Sequence, residues 1–225
     1  MVKPEIIFDE ATHTYLVDGV EVPSVTTILK PLTDRGYGKV NPSVLEYAAN
    51  RGRAVHEALE VYDLGGELEV TPETEGYIRA YLEWEQIYRP RWAGIEQIVY
   101  NSRDEYIGTL DRIGYFNGDN EVLNIVDIKT SSPTKEALVS VCLQTYAYGM
   151  AYRVQNNYWK NGDPNSKYHE IKTWGLFLKP DGTFRVVDCD AYDDKYTLGV
   201  CCAWNELLNI HMTIDHLLAT GKEKR

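Results

Sequence analysis

Three features are missing from this chain of 225 residues: a long apolar run, a spaced set of cysteines and an excess of basic residues. No stretch approaches the roughly 20 apolar residues that a membrane-spanning helix needs. The opening Met1-Val2-Lys3-Pro4-Glu5 also lacks the apolar segment of a signal peptide. We therefore expect a cytoplasmic protein with no membrane partner.

The cysteines are few and badly spaced for metal binding or cross-linking. None of Cys142, Cys189, Cys201 and Cys202 belongs to a C-x-x-C pair, and the adjacent Cys201 and Cys202 cannot easily bridge each other. This spacing argues against a disulfide framework and against a four-cysteine zinc site. We expect buried thiols instead.

Basic residues are outnumbered, with 23 Lys and Arg against 34 Asp and Glu and a formal net charge of −11. A nucleic-acid partner is usually met by a basic surface, so this balance argues against one. Net charge governs solubility and long-range steering, however, and does not decide what a local groove binds. Carboxylates that hold divalent cations also make the formal sum more negative than that of the loaded site.

The hydrophobic pattern predicts one α/β domain, 1–225, with a mostly central sheet. Its parts are N-terminal strands and helices at 1–93, an α/β core at 94–190 and a C-terminal helix at 191–225. Ser24 is expected to cap a short helix, followed by a loop at 34–42. The remaining elements are strands at 6–8 and 14–17, helices at 43–62 and 73–92, strands at 95–100, 106–116 and 121–130, a helix at 135–157, a hairpin at 170–178 and 183–188, and a helix at 190–219.

Two predicted strands carry the strongest chemical signal, Asp111 on one and Asp127-Ile128-Lys129 on the next. Asp127 and Lys129 are two positions apart, so they share one face of a strand whose other residues are apolar. If Asp111 lies on the adjacent antiparallel strand, the two carboxylates come within roughly 5 Å of each other, which suits one divalent cation. The alternative is a surface hairpin whose charges are simply solvated.

The proximity of these carboxylates depends on strand register. In an antiparallel pair of strands, the residue numbers of any two opposed residues add up to the same total. Asp111 shares a face with Asp127 only if that total is even. We therefore predict a turn of odd length, such as Asn117–Glu121, or a bulge that resets the register.

Four further residues are candidates for the same site. His56, on the helix that carries Gly52, is either a metal ligand or a hydrogen-bonded core residue. Gln144 and Tyr148 stand one helical turn apart and either orient a phosphate, a water or Lys129, or satisfy each other in the interior. Glu96 adds a carboxylate or is a solvated residue of an edge strand.

Together these pieces resemble the PD-(D/E)xK nuclease superfamily, and within it the RecB-like exonucleases. The resemblance covers about 51–148, and the opening His13-x-Tyr15…Pro23-Ser24-Val25-Thr26 is similar to that of small phage-type and mitochondrial genome-maintenance exonucleases. Val126 stands where the family's name has proline. The motifs that carry the resemblance occur in the family's order: Arg51-Gly52-x-x-x-His56, Glu96, Gly108-x-x-Asp111-Arg112, Asp127-x-Lys129 and Gln144-x-x-x-Tyr148.

The resemblance implies a restriction-endonuclease-like core and a DNA substrate cut with one or two Mg²⁺ or Mn²⁺ ions. Asp111, Asp127 and the carbonyl of Ile128 would ligate the metal, with His56 and Glu96 as further ligands. Lys129 would position or activate the attacking water, and Gln144 and Tyr148 would support the lysine and the DNA strand. An iron–sulfur cluster is disfavoured, because the late cysteines lack the required spacing.

Arg51, Arg53 and Arg112 are candidates for contacts with DNA phosphates. The expected function is a metal-dependent exonuclease of DNA repair, recombination or phage DNA processing. The alternatives are an endonuclease on the same fold and a non-catalytic module that binds DNA or scaffolds a partner. A homo-oligomer or a recombination partner protein is compatible with the sequence, which leaves strand polarity and single- or double-strand preference open.

Overall fold

The structure, a computed structural model, describes residues 4–9, 12, 14–37, 40–158, 170–190 and 194–222. It confirms an α/β fold with helices on a mixed sheet. The elements are β1 (Ile6–Asp9), β2 (Thr14–Val17), β3 (Val20–Val22), α1 (Val25–Tyr37), α2 (Pro42–Asp63), α3 (Glu75–Tyr88), β4 (Arg91–Asn101), β5 (Tyr106–Tyr115), β6 (Val122–Lys129), α4 (Lys135–Asn156), β7 (Glu170–Leu178), β8 (Phe184–Asp188) and α5 (Asp194–Lys222).

The main sheet has five strands in the order β4-β5-β6-β7-β8. β6 and β7 run parallel and are joined through α4, whereas the other neighbouring strands are antiparallel. Parallel neighbours need a crossover connection, and α4 provides it. β6 is therefore a central strand covered on both faces.

The two faces of β6 pack against different helices because successive side chains point to opposite sides. Leu123 and Ile125 belong to a cluster with residues of α1, α4 and α5. Val126 and Ile128 belong to a second cluster with residues of α2 and α3. Asp127, two positions after Ile125, thus shares the face that α4 covers.

A separate sheet of three strands, β1-β2-β3, precedes α1. Ser24 caps α1 as predicted, since its Oγ accepts a hydrogen bond from Thr27 N at 3.1 Å. The predicted loop at 34–42 is wrong as far as Tyr37, because α1 continues past Pro31 to that residue. Burial of the first turns against the α4 side of the core stabilises this longer helix. Residues 38–39 of the predicted loop lie outside the described residues.

The boundary between α3 and β4 also differs from the prediction, which extended the helix to 92. α3 ends at Tyr88, and Arg89 takes a left-handed backbone conformation with φ +44° before Pro90. Left-handed residues commonly end helices, and proline cannot continue one. Trp92 therefore lies on β4, where its ring stacks on Trp84 with centroids 6.0 Å apart.

The other elements follow the prediction within a few residues, although 191–193 of the predicted final helix lie outside the described residues. The expectation of buried thiols is confirmed for Cys142 and Cys189, but Cys202 is exposed. Among the described residues, no helix combines the length and apolar character needed to cross a bilayer.

Candidate metal and catalytic site

The site lies where β5 and β6 separate. Their pairing is Arg112 with Val126, Ile113 with Ile125 and Gly114 with Asn124, and each pair of positions adds to the same even number. The parity prediction is confirmed, and one further step in this register sets Asp111 opposite Asp127.

The backbone hydrogen bonds between β5 and β6 end at Arg112. Beyond that point, the side chain of Asp111 bonds to β6. Asp111 Oδ2 accepts a hydrogen bond from the backbone N of Ile128 at 2.6 Å. β6 continues beyond this point in partnership with β7. The two aspartates therefore lie where the backbone pairing of β5 and β6 ends, and the Asp111 side chain contacts the backbone of β6 there.

Asp127 is the least satisfied group of the site. Its residue is 0% exposed, and neither carboxylate oxygen has a hydrogen-bond partner among the described residues. Oδ2 does lie 2.6 Å from Lys129 Nζ, as an ion pair. Burial raises the pKa of Asp127, and the Lys129 ammonium limits that rise. A buried carboxylate short of hydrogen bonds is costly, so a cation would stabilise this position.

Lys129 is held from the helix side as well. Its Nζ donates to Gln144 Oε1 at 3.1 Å, and Gln144 Nε2 donates to the Tyr148 hydroxyl at 2.9 Å. Both predicted roles of the pair are present, because the amide orients the lysine while the two side chains satisfy each other. Burial raises the pKa of Tyr148 well above its usual value, with a further contribution from Asp127.

Gly108 makes room for that tyrosine. A Cβ at Gly108 would lie 2.7 Å from Tyr148 Cε1, closer than side-chain carbons approach. The glycine of the Gly108-x-x-Asp111 motif thus lets α4 bring Tyr148, and with it Gln144, down onto β5.

His56 reaches the site from α2. Its Nδ1 lies 3.8 Å from Asp111 Oδ2 and 3.9 Å from Glu96 Oε1, and its Nε2 lies 3.0 Å from the carbonyl oxygen of Ile128. Burial lowers the pKa of His56, but the carboxylates of Asp111 and Glu96 outweigh burial and raise it. The imidazole therefore faces two carboxylates with one nitrogen and a backbone acceptor with the other.

Close approach of α2 to the end of β6 depends on Gly52. A Cβ at this position would lie 3.3 Å from Thr130 Oγ1, which is tighter than ordinary van der Waals contact. Gly52 is one helical turn before His56, so the contact sets the height of the imidazole above the strand.

Three of these residues lie close enough together to share one metal ion. One ligand atom from each of His56, Glu96 and Asp111 lies within 4.8 Å of the others. Asp127 is not part of that group, although the β5–β6 register places it beside Asp111. The site offers one imidazole nitrogen and several carboxylate oxygens, a donor set that divalent metals use.

Glu96 has an unusual backbone for a strand residue. Ile95 pairs with Arg112 and Gln97 with Leu110, so Glu96 lies opposite Asp111 in register. Its φ is +44°, in the left-handed region that side chains other than glycine rarely adopt. Such conformations cost free energy and persist only where surrounding contacts hold them.

Arg112 does not fit its predicted contact with DNA phosphate. The residue is 0% exposed, and its Nε donates to Asp63 Oδ2 at 2.7 Å. Its Nη1 donates both to Glu96 Oε1 at 3.0 Å and to the carbonyl oxygen of Asp111 at 2.8 Å. Burial lowers the pKa of Arg112, but Asp63 outweighs it and raises the value. The guanidinium is a framework group of the site and is closed to a polyanion.

The other two predicted phosphate contacts lie on α2, near His56. Arg51 is half-buried, with its guanidinium 5.0 Å from the ring centroid of Tyr77. Arg53 is exposed and donates to the side chain of Asn50. Of the three arginines, Arg53 has the open surface that a phosphate contact needs.

Sequence reasoning missed Asp63 and Thr109. Asp63 lies two helical turns after His56 on α2, a spacing that keeps both on one helix face and could have revealed it. Thr109 lies two positions before Asp111 on β5, and its Oγ1 is 2.9 Å from the hydroxyl of Tyr15. Tyr15 belongs to the opening motif named above, whereas His13 of that motif lies outside the described residues.

Comparison with known proteins assigns no family to this site: no protein-family model matches the chain, and no curated protein sequence matches it as a relative.

Proposed function

We propose that this chain is a metal-dependent DNA nuclease of the PD-(D/E)xK type, with a restriction-endonuclease-like core and a RecB-like site. The observation that carries the proposal is the β5–β6 register, which sets Asp111 opposite Asp127 where the strands separate, with Lys129 on the same face as Asp127. The burial of the Asp127 carboxylate, whose contact is the ion pair with Lys129, is the second support. Solvated charges of a surface hairpin would be exposed, whereas Asp127 is fully buried.

The residues present fit a divalent cation. Asp111, Asp127 and Glu96 would supply carboxylate oxygens and His56 an imidazole nitrogen. Oxygen ligands suit Mg²⁺ and Mn²⁺, and the imidazole shifts the preference towards Mn²⁺, which accepts nitrogen more readily. When bound, the cation supplies Lewis-acid chemistry: it polarises the phosphate and lowers the pKa of an attacking water.

Ile128 contacts His56 through its backbone carbonyl. Its carbonyl oxygen, expected as a metal ligand, lies 3.0 Å from His56 Nε2. With the proton on Nε2, His56 donates to this carbonyl and keeps the Nδ1 lone pair aimed at Asp111 and Glu96. Metal-binding histidines commonly donate their second ring N–H to a carbonyl, which fixes the tautomer. Ile128 thus orients the imidazole.

Lys129 contributes a compact positive charge beside Asp127. Gln144 and Tyr148 hold its ammonium from the α4 side, so its position does not depend on Asp127 alone. Its side chain is 29% exposed, which leaves the ammonium accessible to a phosphodiester. Positive charge fixed beside a phosphate stabilises the additional negative charge that builds up on its oxygens during cleavage.

The exonuclease mode rests on the resemblance of the Gln144-x-x-x-Tyr148 helix and of His56 to the RecB-like branch. The net charge of −11 suits an enzyme that binds DNA in an enclosed channel or through a partner, such as a second copy or a recombination protein. A sequence-specific endonuclease and a non-catalytic DNA-binding module are the rivals, and a single assay separates all three.

The assay compares an end-labelled linear DNA with a covalently closed circle of the same sequence, in Mg²⁺, Mn²⁺ or EDTA. We expect metal-dependent degradation of the linear DNA alone. Cleavage of the circle would assign an endonuclease. Loss of neither substrate, with DNA still bound, would assign a binding module and contradict the proposal.

Two variants identify the site in this assay. Asp127→Asn removes the buried charge while keeping the shape of the side chain, and we expect it to abolish cleavage. Asp119→Asn is the matched control, because Asp119 is an exposed acid in the turn between β5 and β6. Its Oδ1 accepts a hydrogen bond from Glu121 N, which an asparagine oxygen can also accept. Equal activity of both variants would show that the cleavage arises elsewhere.

A further inference from the structure

A buried ion network lies behind the candidate ligands. Arg112 binds the Asp63 carboxylate through Nε, and the same carboxylate oxygen accepts the Tyr81 hydroxyl at 2.7 Å. The side chains of Arg112 and Asp63 are 0% and 2% exposed. This network joins the end of α2, the middle of α3 and the centre of β5 beneath the site.

One nitrogen of that network faces the site itself. Arg112 Nη1 donates to Glu96 Oε1 and also to the carbonyl oxygen of Asp111. Glu96 Oε1 is the same atom that lies 3.9 Å from His56 Nδ1. A single guanidinium therefore contacts the side chain of one candidate ligand and the backbone of another.

The Arg112 guanidinium contacts a residue, Glu96, whose backbone conformation is unusual. Glu96 lies in the middle of an eleven-residue strand, yet its φ of +44° interrupts the regular strand conformation. A non-glycine residue does not keep this conformation without compensating contacts. The bond from Arg112 to Glu96 Oε1 is such a contact, and it turns the carboxylate towards His56 and Asp111.

We propose that Arg112 is a positioning residue, anchored by Asp63, that presents Glu96 to the metal as a ligand. This inference rests on the proposed function and names the device that assembles its metal site. Arg112 touches neither substrate nor metal in this role. Arg112 acts through Glu96. A substitution of Arg112 therefore no longer changes the metal affinity once Glu96 has lost its negative charge.

The test is a double-mutant cycle between Arg112→Lys and Glu96→Gln, with Mn²⁺ binding measured by calorimetry. Lysine keeps the charge of Arg112 but cannot contact Asp63 and Glu96 with one rigid fork. Loss of a partner that orients a metal ligand typically weakens metal affinity by about 10- to 100-fold, and we expect Arg112→Lys to do so. In the Glu96→Gln background, we expect the same substitution to have almost no further effect.

A second variant changes the ion network at Asp63, away from the metal. It tests the proposal even if Arg112→Lys fails to fold. Asp63→Asn removes the charge that anchors Arg112, and we expect weaker Mn²⁺ binding that again depends on Glu96. Glu85→Gln is the matched control: Glu85 Oε2 accepts the Tyr62 hydroxyl at 2.9 Å, another tyrosine–carboxylate contact between α2 and α3. We expect it to leave Mn²⁺ affinity unchanged.

The outcomes separate this inference from the proposed function. Wild-type protein that binds Mn²⁺ and cuts DNA, with additive effects of the Arg112 and Glu96 substitutions, would overturn the positioning role alone. An unchanged Mn²⁺ affinity in Asp63→Asn would overturn it as well. Wild-type protein that binds no Mn²⁺ would overturn both. A folding defect without coupling in metal affinity would reduce Arg112 to a structural ion pair.

Discussion

The two faces of the sheet differ in how many partners their buried carboxylates have. On the α4 face, Asp127 is fully buried without a hydrogen-bond partner among the described residues, and its ion-pair partner Lys129 is partly exposed. On the α2–α3 face, Asp63 is bonded by both Arg112 and Tyr81, and its side chain is 2% exposed. One carboxylate is left short of partners, and the other has them.

Under the proposed function, this difference separates a metal-binding group from its framework. A buried ion pair with good geometry is strongly disrupted when one partner is lost, so the Asp63 side contributes to a fixed structure. A buried carboxylate short of hydrogen bonds costs stability, and proteins retain such costs where function requires them. The comparison therefore predicts that Asp127 acts directly on activity, whereas Asp63 acts through the framework that holds the candidate ligands.

Asp127→Asn is expected to have the largest effect on activity. Under the proposed function, a bound metal would supply several kcal/mol of transition-state stabilisation, so cleavage should fall by about 1000-fold or more, roughly 4 kcal/mol. The free energy of unfolding in EDTA should stay the same or rise, because a buried charge is removed. Initial rates on linear DNA and urea unfolding measure the two quantities. A large loss of stability would place Asp127 in the framework and erase the contrast.

Arg112→Met is expected to have the largest effect on stability. Removal of one partner from a buried ion pair leaves Asp63 uncompensated, and the free energy of unfolding should fall by about 3 kcal/mol or more. Urea denaturation in EDTA measures it without any metal contribution. Addition of Asp63→Asn to this variant should restore part of the loss, whereas a further fall would show that the two residues act independently.

Lys129→Ala should separate catalysis from metal binding. Loss of a fixed positive charge beside the phosphate should lower the cleavage rate by about 100-fold. Mn²⁺ binding should persist, because lysine is not a ligand and its ammonium also repels the cation. Calorimetry and single-turnover cleavage measure the two effects. Undiminished turnover would remove Lys129 from the mechanism.

Gly108→Ala should give the smallest of these effects. The added methyl group meets the ring of Tyr148, which has to shift and weaken its bond to Gln144. We expect cleavage to fall by about 10-fold, equivalent to roughly 1.4 kcal/mol. Gly199→Ala is the control, because a Cβ there meets no atom within 4 Å. Equal activity of the two variants would separate Tyr148 from the function of Lys129.

Strand pattern and register could be predicted because they depend on local periodicity. The even sum of positions followed from the requirement that Asp111 and Asp127 share a face, and the pairing of Arg112 with Val126 satisfies it. The contact between Gln144 and Tyr148 followed in the same way from helical spacing, whereas the contact of Gln144 with Lys129 was one of several alternatives and was implied by the resemblance. The register and the Gln144–Tyr148 contact need only the geometry of a strand, a turn and a helix.

The network behind the site depends on long-range contacts, which periodicity does not encode. Arginine commonly binds phosphate, so the sequence predicts that role for Arg112. Its burial depends on the packing of α2 and α3 against β5, which the sequence pattern does not show. The left-handed backbone of Glu96 is also invisible in a sequence, because glutamate carries no preference for it. The sequence predicts a break near Pro90 in a helix that extends to Trp92, and the structure ends α3 at Tyr88.

The most direct test of the account is anomalous diffraction from crystals of this protein grown with Mn²⁺. We predict a manganese peak where the β5–β6 pairing ends, in contact with the carboxylates of Asp111 and Asp127. The peak should be lost in Asp127→Asn. A peak elsewhere, or none in protein that degrades DNA, would contradict the assignment of the metal site and the mechanism built on it.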